Sequence, residues 1–375
     1  MKHFFERSQI SAFRLTRHHF VDENLADLTT VCRNVCGVQS QVMAAAQMAF
    51  WARMHGLTRA DIHSALWKSR TLVKTSCMRQ TLHLLPAADF SIYINALRRS
   101  RVEALRRIMS KFGITQKEFD GMNEAVMEAL SAGPLTQREL TDEIASKVGK
   151  NVRAWMEHVW SVFRPAIVEG LICYGPDRGQ EVTFVRVDQW LPKQREVCAQ
   201  EAQRVLLRRY LSAYGPATLQ DFSRWTGIPM KEARAVWGSL EEELVEVCVE
   251  DRKGWILRED YQKLARSHLG DQILRLLPSF DPYMLGHVDK NHLVDSPYYK
   301  RVYRSAGWIS PVVLLNGRVI GIWSNSRRGN RLSLEIQPFE NFSKSVHRKI
   351  QEEAASLGDF LETSWEIKFR RRLFG

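Results

Sequence analysis

Hydrophobic positions recur along the chain in two patterns that follow one another. Segments with apolar residues three or four positions apart predict amphipathic helices, and shorter segments with strict alternation predict strands. A short helix, a turn, a longer amphipathic helix and a strand pair come in this order after Gly-Pro-Leu-Thr at 133–136. The same order follows Gly-Pro-Ala-Thr at 215–218. This succession is the plan of a winged helix, and its repetition predicts a tandem array.

The two copies agree in their helix starts and in their strand pairs. In the first copy the longer helix is predicted at 153–171, and the strands flank a turn at 176–180. In the second copy the helix is predicted at 229–240, and the strands flank a turn at 251–253. In each copy a threonine is the predicted N-cap, and an acidic residue three positions later completes a capping box. These capping pairs are Thr136 with Glu139 and Thr218 with Asp221.

The N-terminal region fits a third, more diverged copy of the same plan. Residues 25–56 predict one or two helices, and another helix is capped near Thr58. An alternating stretch at 71–86 predicts a strand pair, and a strongly basic amphipathic helix follows at 87–113. For its arginines, contact with DNA phosphates competes with an ordinary solvated face. The candidates for phosphate contact are Arg98 and Arg101.

After about residue 262 the pattern changes to strands and turns. Asn-Gly at 316–317 lies between alternating apolar segments and is a strong hairpin signal. The next turn, at 324–331, carries three arginines at its tip. Such a tip fits a DNA groove or lies across phosphates, and the alternative is an ordinary solvated turn. A helix at 341–357 and a short strand follow. The tip arginines are Arg327, Arg328 and Arg331.

The predicted fold class is therefore α+β, with three tandem winged-helix units and a C-terminal β-rich region. The first unit carries the basic helix, and the last region carries the basic hairpin. The predicted boundaries are 1–120, 121–195, 196–262 and 263–375.

Charge and cysteine usage indicate the partner and the compartment. The 375 residues include 54 Lys and Arg against 42 Asp and Glu, which gives a net charge of +12. Such an excess favours a polyanionic partner, most often nucleic acid, although solubility alone is the alternative. The six cysteines form no C-x-x-C pair, which suits a reducing cytosol. No apolar run approaches the roughly 18 residues of a membrane helix, so we expect a cytoplasmic protein. We also expect it to be a monomer and to be nucleoid-associated when it is bound to DNA.

Several kinds of catalytic motif are absent from the sequence. It has no G-x-x-x-x-G-K-[ST], no G-x-G-x-x-G after a strand, no H-E-x-x-H and no G-x-S-x-G. We therefore expect no cofactor and no metal. His83, in an alternating stretch, is interpreted either as a core histidine or as a site residue.

Two glutamines one residue apart, Gln39 and Gln41, interrupt the apolar stretch 36–46. On a regular helix, side chains two positions apart diverge by about 200°. Either one amide is solvated while the other is satisfied in the core, or both lie at a helix start and converge on a common target. The pattern alone leaves both arrangements open.

A basic tandem winged-helix protein belongs to one of two function classes. One is a non-catalytic DNA-binding protein or transcriptional regulator. The other is an enzyme that holds DNA on the same scaffold. A regulator has no evident reason to place Gln-Ser-Gln in an apolar segment, so the residues favour the enzyme.

Four blocks, in this order, resemble the AlkZ/YcaQ family of bacterial DNA glycosylases. They are GVQSQVMAAAQMAFWAR (37–53), MRQTLHLLPAADF (78–90), LLPSFDPYMLGHVDK (276–290) and PVVLLNGRVIGIW (311–323). The resemblance covers nearly the whole chain. In that family the catalytic motif is Gln-hydrophobic-Gln in the AlkZ branch, with Asp at the second position in the YcaQ branch. Gln39 and Gln41 match the AlkZ branch, and Ser40 departs from its hydrophobic middle residue.

The resemblance implies both a shape and an activity. The implied shape is a C-shaped assembly of three winged helices and a β-rich region around a DNA channel. The implied activity is monofunctional removal of cationic N-alkylated purines of the N7-alkylguanine type, and unhooking of interstrand crosslinks in double-stranded DNA. Gln39 and Gln41 are the implied catalytic residues, and Thr81 and His83 are candidates for a second layer around them.

Two neutral amides suit this chemistry. A purine alkylated at N7 or N3 carries positive charge and is already a good leaving group. The enzyme then needs a positioned water and dipoles that tolerate a cationic sugar, rather than a strong acid. Neutral, undamaged bases are expected to be poor substrates.

Overall fold

The computed structural model describes residues 3–21, 26–158, 163–250, 252–329 and 331–370, without the side chains of Glu157, His158 and Arg328. The chain is mixed α and β, as predicted. Its helices lie at the following positions: α1 Arg7–Arg17, α2 Leu28–Asn34, α3 Met43–Trp51, α4 Arg59–Trp67, α5 Phe90–Ser110, α6 Gln116–Ala129, α7 Gln137–Ala145, α8 Lys150–His158, α9 Arg164–Glu169, α10 Val187–Trp190, α11 Ala199–Tyr214, α12 Leu219–Thr226, α13 Met230–Gly238, α14 Tyr261–Ala265, α15 Tyr299–Val302 and α16 Lys344–Leu361.

The strands are short except in the C-terminal region, where β12 runs for 11 residues. They lie at the following positions: β1 His3–Phe5, β2 Val38–Gln39, β3 Leu72–Ser76, β4 Leu82–Pro86, β5 Leu135–Thr136, β6 Ile172–Arg178, β7 Glu181–Arg186, β8 Leu244–Val249, β9 Arg252–Leu257, β10 Leu274–Leu277, β11 Val312–Leu315, β12 Arg318–Arg328, β13 Arg331–Pro338 and β14 Ser364–Phe369.

The chain divides into two compact units, and the boundaries of the four predicted segments stay a prediction. The first unit comprises 1–62, 208–225 and 240–375, and the second comprises 63–207 and 226–239. In the first unit, β1 pairs in parallel with β8, and β8 pairs antiparallel with β9. Helix α1 packs on this sheet through a small apolar core that includes Phe13, Val247 and Ile256. Strand β1 was not predicted, because three residues carry too little alternation.

The C-terminal part of the first unit is a sheet in the order β10-β11-β12-β13-β14. The predicted Asn-Gly hairpin joins β11 to β12: Asn316 has a φ of 49° and Gly317 a φ of 84°, as a two-residue type I′ turn requires. Strands β12 and β13 stay paired up to Arg328 and Arg331, so the predicted turn at 324–331 is mostly strand. Strand β14 pairs in parallel with β13 and completes the sheet.

In the second unit, strands are hydrogen-bonded in the order β4-β3-β6-β7-β5. Helices α5 to α9 cover an apolar core that contains Met122, Trp155 and Phe184. The predicted strand pairs at 71–86 and 172–187 are both present. The predicted helix 153–171 is represented by α8 and α9, and 159–162 lie outside the described residues.

The predicted helix starts are confirmed by their hydrogen bonds. Thr136 accepts from the backbone N–H of Glu139, and the Glu139 carboxylate accepts from the backbone N–H of Thr136. Thr218 and Asp221 make the same reciprocal pair. Within the described residues, no helix combines the length and the apolar character needed to cross a membrane.

Candidate functional site

The two glutamines lie on a connection between helices rather than on a helix start. Helix α2 is closed by two left-handed residues, Cys36 (φ 60°) and Gly37 (φ 89°), and the Gly37 N–H donates to the Cys32 carbonyl over 2.8 Å. The chain then extends through Val38 and Gln39 as β2. The left-handed turn thus resets the backbone to an extended conformation, and the two glutamines precede α3 rather than lie in its first turn.

The environments of the glutamine side chains differ. Gln39 is buried, with 7% of its surface exposed, whereas Gln41 is exposed. Between them Ser40 is buried, and its hydroxyl has no hydrogen-bond partner within the described structure. Val42, the last residue before α3, is again extended, with φ −116° and ψ 105°. The segment therefore fixes one amide in the interior and presents the other to solvent.

Helix α3, which starts directly after this segment, is anchored at its other end by a buried ion pair. The Arg53 guanidinium donates two 2.7 Å hydrogen bonds to the carboxylate of Asp281, and both side chains are fully buried. The same guanidinium donates to the Ala49 carbonyl in the last turn of α3 and lies 4.4 Å from the centre of the Phe20 ring. The pair thus holds the end of α3 to the segment between strands β10 and β11 of the C-terminal sheet.

The turn between β3 and β4 in the second unit has a strained backbone. Arg79 and Gln80 are successive left-handed residues, with φ values of 53° and 61°. Such positions cost about 1–3 kcal/mol each and persist where the surroundings hold them. Arg164 donates to the Gln80 side-chain carbonyl over 2.5 Å, and a Cβ on Gly227 would lie 3.2 Å from the Arg79 Cα. Gly227 therefore allows close backbone packing behind the turn.

The predicted second-layer residues lie on or beside the same β3–β4 hairpin. The Thr81 hydroxyl donates to the Met78 carbonyl over 3.1 Å, which closes the turn. His83 is 2% exposed, and its Nδ1–H donates to the Thr81 carbonyl over 3.0 Å. Burial, aided by the nearby Arg79 charge, lowers the pKa of His83 to about 3. His83 is therefore neutral at pH 7. Thr81 and His83 belong to the second unit and the glutamines to the first, so a joint role stays a prediction.

The two arginines predicted on the basic helix have different environments. Arg98 is half exposed and lies 3.9 Å from the Glu169 carboxylate. Arg101 is buried, and its guanidinium donates to the carbonyl and the hydroxyl of Ser76, each over 2.9 Å. Its burial and these bonds count against the expected phosphate contact, because the guanidinium holds the end of β3 instead of facing solvent.

The predicted basic tip lies at the end of the β12–β13 hairpin. Arg327 is exposed, and its Nε donates to the Gly329 carbonyl over 3.0 Å. Arg331 is also exposed and forms a 2.5 Å ion pair with Glu366 on β14. Exposed pairs of this kind contribute roughly 0–1 kcal/mol, so Arg331 remains able to exchange its partner.

The Arg53–Asp281 pair could not be predicted from the sequence pattern. Charged residues are rarely fully buried, and these two are far apart in the chain. A usable signal was available nonetheless: Asp281 follows the apolar block Leu-Leu-Pro-Ser-Phe, where an unpaired carboxylate would be costly. Among the described residues, no cluster of three or more His, Cys, Asp or Glu side chains is placed to hold a metal ion.

Comparison with known proteins assigns the class and then the family. A family model described as DNA glycosylase AlkZ-like matches residues 32–360. The chain therefore belongs to the AlkZ-like family, and it is a DNA glycosylase. The family resemblance of the sequence blocks is confirmed.

Two comparisons with individual proteins agree with this assignment. The chain is 31% identical over 360 residues to an interstrand DNA cross-link repair glycosylase of Streptomyces sahachiroi, with 92% of this chain and 94% of that protein covered. It is also similar to the structure of the Streptomyces sahachiroi DNA glycosylase AlkZ. The TM-score is 0.85 at 28% identity, and the alignment covers 99% of this chain and all of that one.

Proposed function

We propose that this enzyme hydrolyses the N-glycosidic bond of cationic N-alkylated purines, such as N7-alkylguanine, and unhooks interstrand crosslinks through such purines. The observation that supports the proposal is the connection between α2 and α3, which places Gln39 in the interior and Gln41 at the surface two residues later, directly before α3. The name of the 31% identical relative supports a crosslinked substrate.

In the proposed reaction the amides of Gln41 and Gln39 have different roles. The exposed Gln41 orients a water whose oxygen attacks C1′, while the C1′–N9 bond breaks and its electron pair neutralises the cationic purine. The buried Gln39 supplies a fixed dipole that stabilises positive charge on the sugar. The attacking water releases its proton to solvent, so no strong base is required.

The proposed DNA-binding scaffold consists of three winged helices and the C-terminal sheet, arranged as a C-shaped channel around the duplex and working as a monomer. Support comes from the repeated order of helices and hairpin at 137–186 and 219–257. A crosslinked base is tied to the opposite strand and cannot enter a deep pocket, which is the usual route for base chemistry. An open channel would suit that substrate.

Release of N7-methylguanine from duplex DNA, detected as abasic sites, tests the proposal directly. The wild-type protein is expected to generate abasic sites from this DNA and to leave the undamaged duplex intact. A DNA-binding regulator would produce none in either duplex. The same gel assay on an N7-linked crosslinked duplex is expected to separate the strands, and crosslinks that persist would limit the activity to monoadducts.

The rate of base release is expected to be nearly independent of pH between 6.5 and 8. The amides do not titrate, and His83 is neutral throughout because its pKa is about 3. Its ordinary value is 6.5, so the unfolded chain takes up this proton first and stability is lost only as pH falls from there toward 3. Single-turnover rates on N7-methylguanine DNA measure this, and a tenfold change with a midpoint near pH 7 would require a titrating catalytic group.

Duplex DNA is expected to bind with little sequence preference and a steep dependence on salt. The net charge of +12 supports this. If about five phosphates are neutralised, the logarithm of the association constant should fall with the logarithm of salt with a slope of roughly −4 to −5. Fluorescence anisotropy between 50 and 300 mM salt, roughly the range where such slopes are measured, provides the value. A slope near zero would remove the electrostatic argument.

Replacement of Arg327, Arg328 and Arg331 by Ala should weaken DNA binding and base release together. Each lost phosphate contact reduces the slope by about one. The charge-matched control replaces Lys344, Arg348 and Lys349 on helix α16 by Ala, and its slope should equal that of the wild type. If the two triple variants show the same salt dependence of DNA binding and the same rate of base release, the hairpin contributes only its net charge.

A further inference from the structure

A cavity of about 500 Å³ lies in the first unit beside helix α1. Its walls are α1, the segment 216–221, the tip of the β8–β9 hairpin and the loop 287–292. Its size is in the range of sites for small organic molecules. The proposed glycosylase residues do not line it. The apolar part of the wall is formed by Ile10, Ala217, Val249 and Val288. We call it the α1 cavity.

A buried cation forms one side of the α1 cavity. Arg14 is 8% exposed, and its guanidinium donates to the carbonyls of Gly215 over 3.3 Å and Pro216 over 2.7 Å. Among the described residues, no carboxylate lies within 4.0 Å of it. The nearby Asp221 is occupied by the backbone N–H of Val288 and by Thr218. A buried charge that is bonded only to neutral groups is costly, so the site favours an anion.

Two half-buried histidines complete the polar side of the α1 cavity. Their rings, His287 and His292, lie 4.7 Å apart in an edge-to-face arrangement. Burial and the Arg14 charge lower the pKa of both well below the ordinary range, so both are neutral at pH 7. His287 Nε2–H donates to the Tyr214 carbonyl, whereas the buried Nε2 of His292 has no hydrogen-bond partner within the described structure. His292 can therefore donate to a ligand beside Arg14.

The charged side chains at the mouth of the α1 cavity form ion pairs, whereas Arg14 in its interior does not form one with any described residue. Arg7 pairs with Glu250 over 2.5 Å, and Arg252 pairs with Asp289. The charge of each acidic side chain is offset by its arginine, so an anionic group that passes these pairs meets the charge of Arg14, which has no carboxylate partner among the described residues. The volume of the cavity suits a small ligand.

We propose that the α1 cavity binds a small organic anion, a molecule with an apolar body and one anionic group. The anionic group lies against Arg14 and the Nε2–H of His292. The apolar body lies against Ile10, Ala217 and Val288. This site is separate from the proposed glycosylase residues and does not depend on their assignment.

The aromatic sulfonate 8-anilinonaphthalene-1-sulfonate has this chemistry and becomes fluorescent in apolar surroundings, so it is the probe. The intact protein is expected to bind one molecule saturably. Arg14→Met removes the charge, and Val288→Trp fills the mouth of the cavity from a partly exposed position. Each should weaken binding about tenfold or more, as expected for loss of a buried charge contact or of the space itself. Met230→Trp, at an equally exposed position in the second unit, should bind as the wild type does.

Circular dichroism and melting temperature establish that each variant is folded. If Arg14→Met does not fold, the affinity of Val288→Trp for the probe tests the proposal by itself. Wild-type affinity in folded Val288→Trp would overturn the proposal, as would displacement of the probe by an undamaged duplex, which would make the cavity part of the DNA surface. Base release by Val288→Trp should equal that of the wild type, so failure here and failure of the glycosylase proposal are distinguishable.

Discussion

Gln39→Ala and Gln41→Ala should each slow single-turnover base release from N7-methylguanine DNA by about 10² to 10³, because loss of one preorganised dipole has effects of this size. DNA affinity should change little, since phosphate contacts dominate binding and neither amide is charged. Gln41→Asp should retain activity and even quicken release of neutral bases, because a carboxylate can also accept a proton from water. Single-turnover rates, anisotropy and melting temperature are measured on the same proteins.

The chain offers a matched control for these variants. Gln47 is a half-buried glutamine on helix α3, a few residues after the segment, and Gln47→Ala should leave the rate unchanged. If the amides only satisfied buried groups, Ala would instead lower stability by about 1–3 kcal/mol and reduce activity in proportion to unfolding. If a folded Gln39→Ala, Gln41→Ala double variant released the base at the wild-type rate, the catalytic assignment of the two glutamines would be wrong.

Arg53→Ala and Asp281→Ala should each destabilise the protein by about 3–5 kcal/mol, because each leaves an uncompensated buried charge. For a unit of this size, that corresponds to a decrease in melting temperature of roughly 6–20 °C. Thermal unfolding followed by circular dichroism measures it. Arg348→Ala, which breaks an exposed pair with Glu352, is the control and should shift stability by less than about 1 kcal/mol.

The double variant Arg53→Met, Asp281→Leu separates the charge from the packing. Apolar side chains of similar volume remove both buried charges, so this variant should be more stable than either single variant. If the single variants melt like the wild type, the pair does not anchor α3.

Local signals made much of the fold predictable. The capping threonines, the Asn-Gly turn at 316–317 and the alternating strands each depend on residues a few positions apart, and the structure contains them. Strand β1 depends on partners at 247–249, which no local pattern could indicate. Similarly, Arg101 was predicted to face DNA because it lies on a basic helix, and only its remote acceptor, Ser76, explains its burial.

For the segment with Gln39 and Gln41, the sequence suggested a role but did not predict the backbone conformation. The spacing of Gln39 and Gln41 raised a geometric question, and the family resemblance gave the pair a catalytic role that stays a prediction. The small apolar residues around it, however, indicated a helix. Gly37 was a usable stop signal for α2, but the left-handed conformation of Cys36 was not, because non-glycine residues rarely adopt it.

The parallel pairing of β13 with β14 also sets an order of assembly. Hairpin β12–β13 can form locally as soon as it is synthesised, whereas β14 follows only after the 18 residues of helix α16. Parallel pairing through such a crossover is slower than closing a hairpin. The end of the hairpin that bears Arg331 is therefore a two-stranded ribbon while the chain emerges from the ribosome, and it acquires its third strand only after α16 has packed.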